Sequence, residues 1–251
     1  MQEGNTFERI EKKWRMTPQQ LTVLMPVIRE HMREDSHGKT TICSEFYDTA
    51  DFYLIRKSIE RPLFKEKIRI RSYGIPAENS EVFVEVKRKL NGIGSKRRIR
   101  CTYKNAKELM KGKEIDCDNK QIEKEILNLV SRYSPRPAAS VFYERIAFFS
   151  TEDENLRITL DFDIRYRFLD TDLTKGAEGE EAITDERKIL MEVKSDKGVP
   201  AWLREALTKA GVYRAPFSKI GTVFTEHFSA YEKQKKEYEM QNKADEAQNK
   251  E

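Results

Sequence analysis

Alternation of period two runs through the middle of the chain, and one of its two faces is basic. Around 65–71, Lys65, Lys67, Arg69 and Arg71 share one side while Ile68 and Ile70 share the other. In 82–88, Phe83, Glu85 and Lys87 oppose Val82, Val84 and Val86. In 157–167, Arg157, Thr159, Asp161, Asp163, Arg165 and Arg167 oppose Ile158, Leu160, Phe162 and Ile164. The same reading sets Glu192 and Lys194 against Met191 and Val193, and it extends to Arg9, Glu11 and Lys13 and to Tyr143 and Arg145. All of these segments are expected to be strands.

Helical spacing appears in three places. Thr17-Pro18 opens a segment with Leu21, Leu24, Met25 and Ile28 on one face, Thr being a capping residue and Pro suiting the first turn. About Asn119 to Tyr133, Ile122, Ile126, Leu127 and Val130 repeat the pattern, and a third helix opens at Pro200 with Trp202, Leu203 and Leu207. Asn91-Gly92-Ile93-Gly94 between two strands reads as a hairpin turn. The acidic stretch from Asp170 to Glu186 lacks a periodic apolar set and reads as an exposed loop. No repeat or long linker divides the chain, so residues 1–228 are read as one domain and 229–251 as a charged helical or disordered tail.

Composition adds little to this until the positions of the charges are considered. Of 251 residues, 36% are charged, yet 47 Lys and Arg face 43 Asp and Glu, so the net +4 does not point to nucleic acid or a membrane. No stretch approaches a membrane span and the N-terminus lacks a signal-like apolar run, so a cytoplasmic protein without membrane insertion is expected. Cys43, Cys101 and Cys117 lie far apart and are expected to be free thiols. His31, His37 and His227 have no metal-ligand spacing and are left out of the site.

On ordinary half-buried strands the charged face meets water. Solvated faces usually mix Thr, Ser, Gln, Glu and Lys, however, and like charges on opposed strands destabilise a sheet. Two cations about 4 Å apart repel by roughly 4 kcal/mol at an effective dielectric near 20, so basic faces turned toward each other require anions. The alternative is an inverted, closed antiparallel β-barrel of the α+β class. Its interior is charged and its apolar exterior is covered by the helices. Glu11, Glu85, Asp161 and Glu192 on the inner faces could hold a hard divalent cation that bridges phosphate oxygens. Lys and Arg with such carboxylates are what phosphoryl transfer requires, and neither a P-loop nor a kinase motif is present.

An ordered series of short motifs carries a family resemblance over about residues 7 to 224. The pieces are FERIEKKW (Phe7 to Trp14), SEFYDT (Ser44 to Thr49), KEKIRIRSYG ending at Gly74, VFVEVKRK ending at Lys89 and KRR (Lys96 to Arg98). They continue with YERIAF ending at Phe148, LRITLDFDIRYR ending at Arg167, LMEVK ending at Lys194, PAWL ending at Leu203 and FSK ending at Lys219. Together they resemble the VTC domain, the polyphosphate polymerase domain of the vacuolar transporter chaperone family, within the CYTH or triphosphate tunnel metalloenzyme superfamily. The resemblance implies an eight-stranded tunnel that transfers the terminal phosphate of ATP to a growing polyphosphate chain with Mn²⁺ or Mg²⁺. It assigns Lys13, Arg69, Arg71, Lys87, Arg145, Arg157 and Lys219 to phosphate contacts, Glu192 to the metal, and Tyr143 and Ser218 to hydrogen bonds. Lys65, Lys67, Lys194 and the KRR residues Lys96 and Arg98 join the substrate-binding set, and Glu11 and Glu85 the metal set; alternation alone leaves open which of Lys96, Arg97 and Arg98 faces the tunnel.

Two positions depart from the family pattern. Arg9 stands where the first Glu of the superfamily's E-x-E-x-K is expected, which favours a more positive site than a hydrolase has. Pro216 stands close to an expected basic residue, with Arg214 as a candidate substitute. Polymer export would require a membrane partner. The competing functions are a tunnel triphosphatase, which gives the phosphate to water, and a non-catalytic polyphosphate-binding module.

Overall fold

Local sequence explains where the helices begin. In the computed structural model, which describes residues 10–60, 62–91 and 93–248 and side chains to residue 233, β1 (Ile10–Met16) leads into α1 (Pro18–His31). Thr17 and Gln20 close a capping box, the Gln20 amide donating to Thr17 Oγ1 at 3.2 Å and the Thr17 amide to Gln20 Oε1 at 3.0 Å. β2 (Met32–Glu34), β3 (Thr40–Asp48) and α2 (Tyr53–Ile59) follow. Asp48 caps α2 by accepting from the amides of Leu54 and Ile55. Next come β4 (Phe64–Tyr73), β5 (Glu81–Leu90), β6 (Ile93–Thr102), α3 (Tyr103–Met110) and α4 (Lys120–Tyr133), the last capped by Asn119. β7 (Arg136–Ser150), β8 (Arg157–Arg167), β9 (Glu180–Glu181), β10 (Ile189–Ser195), α5 (Ala201–Lys209) and α6 (Lys219–Gln248) complete the order. Leu90 and Ile93 pair across the expected hairpin, with Asn91 at φ 46°.

Eight strands form one antiparallel path, β1-β10-β8-β7-β3-β4-β5-β6, with β2 and β9 attached to β7 and β8. The path is strongly curled. Lys87 on β5 comes within 3.7 Å of Glu11 on β1, although six strand spacings separate them, about 29 Å in a flat sheet at ~4.8 Å per spacing. Closure by strand pairing, expected from the sequence, is not seen among the described residues: β1 and β6 end the path without pairing to each other. The free edge of β1 is taken instead by the segment before α6. Arg214 bridges to Trp14, and the Ala215 amide donates to the Lys13 carbonyl at 3.1 Å.

The convex side carries two apolar cores. In one, Ile68, Ile70, Val82, Val84, Val86 and Ile99 pack under Ala106 and Leu109 of α3 and Ile126, Leu129 and Val130 of α4. In the other, Trp14, Met16, Ile158, Leu160, Met191 and Val193 pack under Leu24 and Ile28 of α1 and Leu203 and Leu207 of α5. A third core was not anticipated. It joins Ile42, Phe46, Val141, Tyr143 and Leu190, on the concave side by register, to Ile220 and Val223 of α6. The concave side is thus charged over one part and apolar over another.

Two expectations are corrected. Asp163, at φ 48°, is the extra residue of a bulge where β7–β8 pairing shifts between Phe142 and Glu144. Strict alternation fails there, so Ile164 turns to the concave core while Arg165 and Arg167 turn away from it, Arg167 lying over the Phe142 ring. The 170–186 segment is not simply exposed, because it buries Leu173, Ala177, Ala182 and Ile183. These single apolar residues have no period to reveal them. Of the tail, α6 continues to Gln248, and the Tyr231 ring packs against Phe168 and Phe228.

Ile126 tests the covering role of α4. It is fully buried in the core between α3, α4 and the β4–β6 part of the sheet, so Ile126→Ala should destabilise the protein by about 2–5 kcal/mol in urea titration. A loss below about 0.5 kcal/mol, the level of a neutral surface change, would contradict this packing.

Candidate functional site

Register converts the basic alternation into rows. On one wall Lys67, Lys87 and Lys96 align across β4, β5 and β6, and beside them Arg69, Glu85 and Arg98. On the other wall Lys13, Glu192 and Thr159 align across β1, β10 and β8, flanked by Glu11, Lys194 and Arg157. Arg145 pairs with Asp161 between β7 and β8. The segment just before α6 reaches between the walls: Lys67 Nζ donates to Ser218 Oγ at 2.9 Å, and Lys13 Nζ to the Phe217 carbonyl at 3.3 Å.

Four carboxylates organise the cations. Glu85 receives Arg69 at 2.6 Å and Lys96 at 2.5 Å, with Arg71 at 4.0 Å. Burial would raise the Glu85 carboxyl, but Arg69, Arg71 and Lys96 hold it at about 2. Asp161, fully buried, accepts a bidentate pair from Arg145 at 2.6 and 2.8 Å and Lys219 at 2.5 Å. Glu11 and Glu192 both approach Lys13 Nζ, at 2.9 and 3.2 Å. Against the opposing effect of burial, Lys13 and Lys194 keep Glu192 well below the usual carboxylate range. Tyr143 accepts from Arg71 at 3.0 Å; burial would raise its phenol, yet Arg71, Arg145 and Lys219 lower it.

The structure brings together Lys13, Lys67, Lys87, Glu11 and Glu192, and joins Arg71, Tyr143, Arg145 and Lys219 through shared partners. Arg157 and Lys194 lie farther out: Arg157 is exposed over the Phe149 ring, and Lys194 pairs with Glu192 at 2.8 Å. Lys65 continues the β4 row and donates to the Ser58 carbonyl at 3.5 Å. Glu85 stands with its own three cations rather than with Glu11 and Glu192. Of the KRR triplet, Lys96 and Arg98 share the face of Glu85 and Lys87, and Arg97 faces Glu125 of α4 at 3.8 Å. Exposed Arg214 is level with Trp14, on the helix-covered side. Arg9 lies outside the described residues.

Three features escaped the sequence reading. Asp161 appears there as a possible metal ligand, whereas here it is the shared acceptor of Arg145 and Lys219. Ser44 and Thr159 present buried hydroxyls without a hydrogen-bond partner among the described residues, beside Arg71 and Glu192. Thr159 lies in the visible alternation, but only strand register relates Ser44 to Arg71. Among the described residues no three His, Cys, Asp or Glu side chains gather as a metal cage. Glu11 and Glu192, both beside Lys13, are the carboxylates that would hold a hard divalent ion, which takes oxygen ligands.

The class of protein defined here is an α+β fold built on a curled, open antiparallel sheet with a cation-lined concave side and helices outside. The chain is similar to a Bacillus halodurans protein assigned as an adenylate cyclase, with a TM-score of 0.52 and 12% identity over 84% of this chain and 95% of that one. A Hippeastrum protein assigned as an adenylyl cyclase and described as having a dominant triphosphatase activity aligns with a TM-score of 0.48 and 15% identity, over 86% of this chain and 95% of that one. A Pyrococcus horikoshii protein aligns at 0.47 and 14%, over 88% and 99%. No match was found among curated protein sequences. The sequence profile of the VTC domain matches residues 8–224, and the chain belongs to the VTC domain family.

Lys67 gives the cluster a pH signature. Burial, then repulsion from Lys65, Lys87, Lys13 and Arg69, lowers its ammonium from the ordinary 10.5 to about 7. Below about 7 both folded and unfolded chains carry this proton, and the fold bears the full repulsion. Between about 7 and 10.5 the unfolded chain binds more protons, so stability rises with pH. Urea titrations of the ligand-free protein should show this rise, and Lys67→Met should flatten it. Equal slopes for the two proteins would contradict the placement of Lys67 among cations.

Proposed function

We infer that the protein is a metal-dependent polyphosphate polymerase that takes the terminal phosphate of ATP. The supporting observation is the excess of cations on the concave side, where Lys67 donates to the Ser218 hydroxyl and, among the described residues, is surrounded by other cations. A polyanion spanning both walls would neutralise Lys13, Lys67, Arg69, Arg71 and Lys87 together. Each phosphate also needs hydrogen-bond donors, which Tyr143, Ser44, Thr159 and Ser218 can supply.

In the reaction the terminal oxygen of the acceptor chain forms a bond to the γ-phosphorus of ATP, and the β–γ bridging bond breaks. ADP leaves with the electron pair on its β-phosphate, and the chain is one phosphate longer. Little covalent chemistry falls to the protein, whose role is alignment and charge stabilisation. Arg69 and Arg71, oriented by Glu85, and Arg145 and Lys219, oriented by Asp161, hold the equatorial oxygens. Lys13 and Lys87 hold the adjoining phosphate. Arg157, Lys194, Lys65, Lys96 and Arg98 guide the chain beyond the reacting centre. Glu192 and Glu11 would hold Mn²⁺ or Mg²⁺, which supplies Lewis-acid stabilisation of phosphate charge.

Incubation of purified protein with ATP and Mn²⁺ separates the possibilities by product. Long-chain polymer is expected. Free phosphate alone would identify a triphosphatase, and no turnover a binding module. Glu192→Gln should lower turnover about a hundredfold or more, as loss of several kcal/mol of charge stabilisation requires, with polyphosphate binding retained. Undiminished turnover in this variant would remove Glu192 from the metal site.

A further inference from the structure

Exposed apolar side chains collect at one end of the sheet. Phe64, Leu90 and Ile93 are successive partners across β4, β5 and β6, and all three are exposed. Leu63 joins them: it is 74% exposed, and its carbonyl accepts from the Asn91 amide at 2.7 Å. By register this row continues the helix-covered face, but a polar band separates it from the core. In that band Arg88 bonds Glu66 at 2.7 Å and Glu125 at 3.4 Å, and Arg97 faces Glu125. The tip is therefore not a frayed edge of the α3–α4 core.

The charges around the tip indicate what can cover it. Within 62–67 and 87–97 stand Lys65, Lys67, Lys87, Arg88, Lys89, Lys96 and Arg97. Arg88 and Arg97 face Glu125, Lys96 pairs with Glu85, Lys87 with Glu11, and Lys67 is half-buried on the concave side, so seven cations meet four carboxylates, the one within the tip itself being Glu66. That carboxylate is buried and occupied by Arg88 and Tyr133. An apolar projection ringed by cations complements an anionic lipid surface, where the apolar residues enter the headgroup and acyl boundary and the lysines meet lipid phosphates.

We propose that the Leu63, Phe64, Leu90 and Ile93 tip docks the protein peripherally on an anionic bilayer. The inward row Lys65, Lys67, Arg69 and Arg71 runs along β4 toward this same end, so docking would turn that mouth of the cationic channel to the membrane. The docking itself does not depend on the polymerase reading, because its test contains no nucleotide and no polyphosphate.

Co-sedimentation of the full chain with vesicles of phosphatidylcholine alone, or of phosphatidylcholine with phosphatidylglycerol, provides that test. Binding is expected to the anionic vesicles only and to weaken as salt is raised. Leu90→Ser with Ile93→Ser should weaken binding by about tenfold or more at an unchanged melting temperature, as removal of two inserted aliphatic side chains implies. In a separate variant, Leu90→Trp should give a blue-shifted emission on those vesicles. No binding to phosphatidylglycerol vesicles, or equal binding by the double serine variant, would overturn the proposal. So would a wild-type dimer that the serine changes dissociate, since the tip would then belong to a second copy of the chain.

Discussion

Cations held close together on the concave side of a curled sheet, with too few carboxylates to neutralise them, set the terms for the rest of the molecule. Glu11, Glu85, Asp161 and Glu192 are each shared by two or more basic groups. Such sharing fixes where the guanidinium and ammonium groups point, but it leaves net positive charge in a partly desolvated space. Lys67 bears the clearest sign of this, an ammonium lowered to about 7 by burial and by four neighbouring cations. A fold that retains this arrangement forgoes electrostatic stability when empty, and an anionic ligand restores it.

The inversion also explains the placement of the helices. With charge facing inward, the apolar strand faces point outward, and α1, α3, α4 and α5 bury them in two separate cores. α6 is different. Its first turns pack on the concave side against Tyr143, Val141 and Leu190, and the residues just before it bond Lys67 and Lys13. The same segment occupies the edge of β1 that barrel closure would need. Lining and closure are therefore coupled through residues 214–220, and the expected strand-to-strand seam is replaced by a backbone bridge and side-chain ion pairs.

Much of this was legible because alternation is a local property. Lys65 to Arg71 could be placed on one face from spacing alone, and Thr17, Asn119 and Pro200 marked helix starts where the structure has them. Three kinds of feature were not legible. The bulge at Asp163 breaks the period without a Gly or Pro to announce it, so Arg165 and Arg167 were read onto the wrong face. The choice of Lys96 and Arg98 over Arg97 depends on β5–β6 register, which only the hairpin geometry determines. The Phe217 to Lys219 contacts join residues far apart in sequence, and the apolar spacing of Ile220, Val223 and Phe224 does not say which side of the sheet they pack against.

The central claim is that the paired arginines of β4 line an enclosed anion site rather than a solvated face. Melting temperatures with and without polyphosphate, for wild type and for Arg69→Met with Arg71→Met, test it most directly. Polyphosphate at a hundred times its Kd should stabilise the wild type by about 2.7 kcal/mol. The double variant should lose the shift with ligand, and it should melt below wild type when empty, because buried Glu85 keeps only Lys96 as a counter-charge. A wild type indifferent to polyphosphate, or a double variant stabilised as much as wild type, would contradict the account.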